Sequence, residues 1–343
     1  MLKAYGKFTD RLFRWKKPGW KAAAAFIVFQ IFFACITLPL FVFFGPFDGV
    51  KSTVVGASYR TFKHQYIAEL FLSKDKIKRI LEEVNPHDPT EKGEDIKVLK
   101  FGVRNTDRIE VLNLRGIDYT GKLMIVYDPT RIKVGYSSQI PVSGETTSII
   151  AKKNGAVAAV NAGGFKDGGW VGTGGTPIGF IMHGGKVLFN ESGNEKARMD
   201  TIAFTEDGML IVGKHSIEKL KEYGVREGVS FGPPLIVNGE PTITKGDGGW
   251  GIAPRTAIGQ CENGEVLLLV IDGRSLKSLG ATLRDMQDIL LKYGAVNAAN
   301  LDGGSSTTMF FNGRVINVPS DRLGERAVPT VFMVSPAEGS EHE

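Results

Sequence analysis

The hydrophobic pattern divides the chain before any motif is read. From 22 to 44 the sequence runs AAAAFIVFQIFFACITLPLFVFF without a charge. At about 1.5 Å of rise per residue this makes a helix of roughly 35 Å, enough to cross a hydrocarbon core of about 30 Å. A cleaved signal peptide would carry an apolar stretch of only about 7–15 residues with small residues directly after it. The run therefore predicts a retained transmembrane helix. Between 60 and 84, Tyr66, Ile67, Leu70 and Phe71, then Ile77, Ile80, Leu81 and Val84, share one face of one or two short helices, with Ser73 as a cap. The stretch NPHDPTEKG at 85–93 is a turn-rich linker.

Further along, the period shortens. Residues 109–114, 123–127 and 132–136 read as strands, and 146–154 as a helix feeding a strand at 157–160. Hairpins are expected at 178–183 with 187–189, at 202–204 with 210–212, and at 309–311 with 315–318, the last across Asn312-Gly313. VLLLVI at 266–271 is a buried strand, and 282–293 an amphipathic helix ended by Gly294. Hairpins interleaved with helix-to-strand units predict an α+β fold of mixed sheets with flanking helices, preceded by one transmembrane helix. The expected organisation is a basic cytoplasmic tail (1–21), the membrane helix (22–44), a stalk or linker with short helices (45–94), the main domain (95–336) and a short tail (337–343).

Charge sharpens this picture. The chain carries 42 Lys and Arg against 37 Asp and Glu, but residues 1–21 hold seven of those bases and one acid, so the remainder is near neutral. The basic tail predicts a cytoplasmic N-terminus and an extracytoplasmic domain. That placement argues against ATP or NAD as a cofactor. The neutral body argues against nucleic acid as a partner. Two cysteines, Cys35 and Cys261, make no disulfide scaffold, and Cys261 reads as a packed thiol. The oligomeric state is left open.

The chemistry is narrowed by what is missing. Gly172-Thr-Gly-Gly-Thr-Pro177 lacks the last glycine of a dinucleotide fingerprint, Phe180 and Val187 spoil a phosphate loop around Gly184-Gly185-Lys186, and the five histidines lack ligand spacing, so no metal or cofactor is expected. What remains is carboxylate, arginine and glycine. Residues 161–185 hold ten glycines in 25 positions, whose amides can approach an anion closely. Asp167-Gly-Gly-Trp170 recurs as Asp247-Gly-Gly-Trp250, giving two tryptophan loops that suit a sugar face or simple packing. Asp272 ends VLLLVI, and Asp302 ends a small-residue strand, each followed by glycine. Such tips on neighbouring strands suit the paired carboxylates of a glycosidase, or merely cap turns. Arg255 and Arg326 can fork onto phosphate. An internal echo, GAVAAVNAGG from 155 and GAVNAANLDGG from 294, predicts that the Asn161 and Asp302 loops face each other.

The blocks VNAGGF (160–165), APRTAIG (253–259), VIDGR (270–274), NAANLDGGSSTTMFFNGRVIN (297–317) and GERAVPTVFMV (324–334) resemble, in order and spacing, the phosphodiester glycosidase family. The resemblance covers about 175 residues. It implies an α+β fold and hydrolysis of the bond between a sugar's anomeric carbon and a phosphodiester. The expected partner is a sugar-phosphodiester glycan of the cell surface or an exopolysaccharide. The implied site is Asp302, Asp272 and Arg255 for catalysis, with Asn161, Gly163, Gly164, Gly273, Arg274, Gly303, Gly304, Ser305 and Arg326 holding substrate and phosphate. Two positions depart from the family's pattern: Ser305 stands where a third glycine is common, and Asp285 where a glutamate is common. A glycan-binding or polysaccharide-assembly protein on the same fold is the alternative.

Overall fold

The computed structural model describes residues 19–59, 64–93, 95–102, 105–166 and 172–337. The chain forms two compact units, Met1–Lys51 and Ser52–Glu343. In the first, helix α1 (Trp20–Phe44) is uncharged apart from Lys21, and is long and apolar enough to span a membrane. Pro39 sits in its last turns, where Gly45 N–H still closes onto Phe41 O. Helix α2 (Asp48–Tyr59) follows, then α3 (Gln65–Glu69) and α4 (Lys74–Val84), whose cap is Ser73, accepting from Lys76 N.

The rest of the second unit is built from three principal sheets. The first runs β1 (Ile109–Arg115), β2 (Thr120–Val126), β16 (Val266–Ile271), β15 (Arg255–Cys261), β17 (Ala295–Leu301), β13 (Pro234–Val237) and β14 (Glu240–Pro241). The second runs β11 (Leu210–Ser216), β10 (Arg198–Thr205), β12 (Val225–Val229), β8 (Phe180–His183) and β9 (Lys186–Asn190). The third runs β19 (Arg314–Val315), β18 (Met309–Phe311), β5 (Ala158–Asn161), β21 (Thr330–Val334) and β3 (Ile132–Tyr136). Two short pairs, β4 (Glu145–Thr146) with β20 (Ala327–Val328) and β6 (Phe165–Lys166) with β7 (Thr176–Pro177), complete the described strands.

The ladders of these strands are antiparallel. The two helix-to-strand units explain why. α5 (Thr147–Lys153) feeds β5 of the third sheet, while α7 (Leu283–Lys292) feeds β17 of the first, so their strands never pair in parallel. The remaining helix, α6 (Ile217–Glu222), caps the second sheet through Ile217 and Leu220.

Burial follows the pleat. On β16, Val266, Leu268 and Val270 point into a core shared with Phe180, Ile202 and Ile211 of the second sheet and Val134, Val160 and Phe332 of the third. The alternate residues, Leu267, Leu269 and Ile271, pack on the opposite face under Leu283, Met286 and Leu290 of α7. A strand covered on both sides is a continuous apolar run, as this one is. α7 is fixed at its start by a capping box, in which Asp285 accepts from Thr282 N at 2.8 Å and from Thr282 Oγ1 at 2.6 Å. The Asp285 carboxylate thus has a local structural use at the helix start.

Candidate active site

Sequence places the implied residues at strand ends, and antiparallel pairing gathers those ends on one edge. Asn161 ends β5, Asp272 follows β16 and Asp302 follows β17, while Arg255 opens β15 between the latter two. Asn161 is fully buried. Its Nδ2 donates to Asp302 O at 2.5 Å, and its Oδ1 accepts from Thr256 Oγ1 at 2.8 Å and Thr308 N at 3.1 Å. Asp302 N–H donates in turn to Ala162 O at 3.0 Å. The echoed loops therefore meet tip to tip, each arriving from a different sheet.

The aspartate tips are not on adjacent strands. β15 runs between β16 and β17, which separates the two backbones by roughly 10 Å at about 4.8 Å per strand. Close glycine approaches pack the tips against the lead-in to β15. A Cβ on Gly273 would lie 2.8 Å from Pro254 N, and one on Gly303 2.9 Å from Pro254 O. Gly304, at φ +63, donates its N–H to the same carbonyl at 2.8 Å. Any side chain at these positions would push the two loops apart.

The carboxylates differ in their partners. Asp272 is 8% exposed, and its Oδ1 accepts from Asn317 Nδ2 at 3.1 Å and Val318 N at 2.9 Å. Burial raises its pKa, opposed by those two donors and by Lys122. This hold also explains why β19 ends at Val315 rather than running to 318: Asn317 and Val318 are turned toward Asp272. Asp302 is half-buried, with Oδ1 accepting from Gly303 N at 3.0 Å.

The arginines also divide. Arg255 is 4% exposed; its Nε donates to Ala281 O, and its Nη2 to Trp250 O and Gly251 O, at 2.7–3.2 Å. Desolvation lowers its pKa to about 10, which leaves it charged at neutral pH. It holds the 250–251 loop against β15 by backbone carbonyls, and its guanidinium lies 5.7 Å from the Trp250 ring centre. That loop is backed by α2, since a Cβ on Gly56 would meet Gly249 O at 2.4 Å and one on Gly251 would meet Ala57 Cβ at 2.6 Å. Arg274 is exposed and adopts φ +58, which brings its Nη2 within 3.2 Å of where a Gly304 Cβ would stand. Arg326 donates to Ser305 Oγ at 3.1 Å and stacks over Phe165 at 4.9 Å. Its neighbour Glu325 accepts from Ser148 N, tying this segment to α5. Arg274 and Arg326 therefore present guanidinium groups beside residues 304–305.

Gly163 and Gly164 complete the edge. Gly163 N–H donates to Thr330 Oγ1 at 3.0 Å, Gly164 N–H donates to Ser230 O at 3.3 Å, and a Cβ on Gly164 would lie 2.6 Å from the Phe231 ring. Sequence reasoning passes over Ser230, Phe231, Thr256, Thr330 and Asn317, all of which shape this edge. The signal for Phe231 is an aromatic directly ahead of Gly232-Pro233-Pro234; Thr256 and Thr330 are polar residues in buried strands, and Ser230 and Asn317 lie just past the ends of β12 and β19. Of the tryptophan loops, 167–171 lies outside the described residues, while Asp247 forms a turn by accepting from Gly249 N. Cys261 is a packed thiol: its Sγ donates to Tyr293 O, and burial pushes its pKa up to about 11. No group of three or more His, Cys, Asp or Glu among the described residues is arranged to hold a metal ion.

Comparison with known proteins agrees with this architecture. The chain is 31% identical over 215 residues to an uncharacterized protein from the SPbeta prophage of Bacillus subtilis (strain 168), a match covering 61% of this chain and 31% of that protein. It is also 31% identical over 215 residues to the N-acetylglucosamine-1-phosphodiester alpha-N-acetylglucosaminidase of Bos taurus, covering 55% of this chain and 38% of the relative. The chain thus spans about a third of the length of these curated relatives. The solved catalytic domain of the zebrafish N-acetylglucosamine-1-phosphodiester alpha-N-acetylglucosaminidase, auto-inhibited by its pro-peptide, superimposes with a TM-score of 0.59 at 23% identity. That match covers 72% of this chain and 91% of the zebrafish one and establishes the shared fold. The family model for phosphodiester glycosidase matches residues 154–335, more than half of the chain, and the chain belongs to the phosphodiester glycosidase family.

Proposed function

We propose that the protein is a membrane-anchored hydrolase that cleaves the bond between a sugar's anomeric carbon and a phosphodiester, in glycans outside the cytoplasm. The observation that carries this reading is the meeting of the Asn161 and Asp302 loops beside the Arg274 and Arg326 guanidinium groups. The bovine relative's name supplies the same substrate class. α1 would serve as the anchor, and the basic tail would keep the N-terminus inside.

The residues suggest a division of labour. A phosphomonoester leaves as a stable anion, so protonating the leaving group matters less than in ordinary glycoside hydrolysis. Arg274 and Arg326 hold the phosphate and stabilise its growing charge, with nearby backbone amides. The Asp302 carboxylate faces the anomeric carbon, either attacking it or activating water. Asp272 holds the 317–318 turn that supports this edge, and Arg255 fixes the tryptophan loop.

The test is incubation of the detergent-solubilised protein with a panel of sugar-1-phosphodiesters in water labelled with heavy oxygen. Release of reducing sugar with label in the sugar supports the reading. Label in the phosphate would assign P–O cleavage instead. Binding of the panel without turnover would favour the glycan-binding alternative.

A further inference from the structure

Beside the edge just described lies a cavity of about 770 Å³, within the usual range for small-molecule sites. We propose that this cavity seats the sugar whose phosphodiester bond is cut, with Asp200 and the Phe231–Trp250 pair reading its hydroxyls and its ring face. The inference rests on the hydrolase reading and extends it from the bond to the sugar.

Position comes first. Residues 162–164 link Asp302 to the cavity wall: Asp302 N–H bonds to Ala162 O, and Gly164 N–H bonds to Ser230 O. Ser230, Phe231 and Trp250 line the cavity, and the Phe231 ring is the group that a Gly164 side chain would strike. The backbone behind this wall is tied to the Asp302 strand, since Asn300 N–H donates to Pro233 O and Asn300 Nδ2 to Gly232 O, both at 3.0 Å. A ring seated against Phe231 must reach past the lining residues to bring its anomeric end to Asp302, since Asp302, Arg274 and Arg326 stand outside the cavity wall.

The wall chemistry separates sugar from phosphate. Phe231 and Trp250 meet edge to face, with ring centres 6.1 Å apart at 77°, and offer an apolar surface to C–H groups. Asp88, Glu91, Glu191 and Asp200 line it with Arg198 and Lys214, and Glu191 also pairs with Lys166; the remaining surplus of one acid disfavours a phosphate here. Both cations are already engaged by the protein. Lys214 pairs with Glu91 at 2.5 Å, and Arg198 donates to the carbonyls of Thr90 and Lys214. Asp200 is open to the cavity yet crowded behind, its carbons 3.5 Å from where a Gly232 side chain would start. Desolvation raises its pKa against the pull of Lys214, and its exposed carboxylate oxygens can accept from hydroxyl donors. Neutral polyols with one apolar face suit these walls.

The experiment uses the full chain and two substrate series. One varies the sugar (N-acetylglucosamine, glucose, mannose, galactose) on a methyl phosphodiester; the other varies the alcohol (methyl, glycerol, mannose) on N-acetylglucosamine 1-phosphate. Asp200→Ala and Phe231→Leu should each raise KM at least tenfold and reorder preference among the sugars, leaving the order among alcohols unchanged. His183→Ala, in a separate cavity lined by Lys133, Arg226 and Glu227, should change neither order. Reordered alcohols with an unchanged sugar order would assign the cavity to the aglycone and overturn the proposal. Saturation-transfer NMR with the four free sugars tests the seat without turnover: transfer to ring protons in the wild type, lost in both variants, is expected. If the wild type binds free sugars but cleaves nothing, the hydrolase reading fails and the seat stands. Transfer from none of the four sugars, or equal transfer in folded variants, removes the seat whatever the activity.

Discussion

At the scale of single residues, the two aspartates that look alike in sequence have different expected phenotypes. Asp302→Asn keeps an oxygen able to accept from Gly303 N but removes the charge. Turnover should fall by about three orders of magnitude or more, with little change in melting temperature, because the lost interaction belongs to the transition state. Near-normal turnover in the folded variant would take Asp302 out of the mechanism. Asp272 is raised by burial above its ordinary value of 3.8, so the folded protein retains its proton where the unfolded chain has released it. Its stabilising contribution is whole below 3.8 and declines as the pH rises through the folded value. Asp272→Asn preserves the acceptor for Asn317 and Val318 without a charge to desolvate. Its melting temperature at pH 7 should equal or exceed that of the wild type, and the difference should vanish in melts below pH 3.8. Arg255→Lys, by contrast, cannot reproduce three diverging bonds to carbonyls. A loss of about 2–3 kcal/mol in denaturant unfolding is expected, together with slower turnover.

At the scale of elements, legibility tracks how much of each element's environment is local. β3 and β16 fall where the pattern puts them, 132–136 and 266–271, because β16 is a short apolar run and β3 alternates buried Ile132 and Val134 with Lys133. The Asn312-Gly313 turn is equally plain, with both residues at positive φ. β12 and β15 have no such marks, whereas β13, between Gly232-Pro233 and Asn238-Gly239, and β21, between Pro329 and Ser335-Pro336, carry them and are absent from the predicted strands. On β15, Thr256, Gln260 and Gly259 are buried among apolar neighbours, so alternation disappears in a strand covered on both faces. α2 is hidden for the opposite reason. Gly56 and adjacent β-branched valines are poor helix formers, tolerated because the glycine lets the 249–251 loop approach. The meeting of the Asn161 and Asp302 loops is legible from the echo, whereas the Phe231 wall depends on contacts that no local pattern records. Glycine positions give this scale its own prediction. Gly273→Ala would drive a methyl into the backbone of Pro254 and Leu279, so thermal stability and activity should fall together, with about 1–3 kcal/mol lost. An unperturbed melt would mean that the Pro254 lead-in is not the spacer between the aspartate tips.

At the scale of the whole molecule, α1 is the feature most readily tested by location. Protease added outside intact cells should degrade residues 45–343 and spare the N-terminal tail; protection of that region would reverse the proposed orientation. The third sheet bears on when the site comes into being. β5, which carries Asn161, lies between β18 and β21, and β21 brings Thr330 to Gly163 across a separation of 167 residues. Contacts of such sequence distance form late, after the entropy of closing the intervening chain has been overcome. A nascent chain emerging from the ribosome already holds Asp272 and Asp302 while Thr330 is still unmade, and β5 has no partner on its β21 side. The topology therefore sets the candidate site's assembly late: Asn161 and Gly163 gain their last supports only after residues 330–334 have been made.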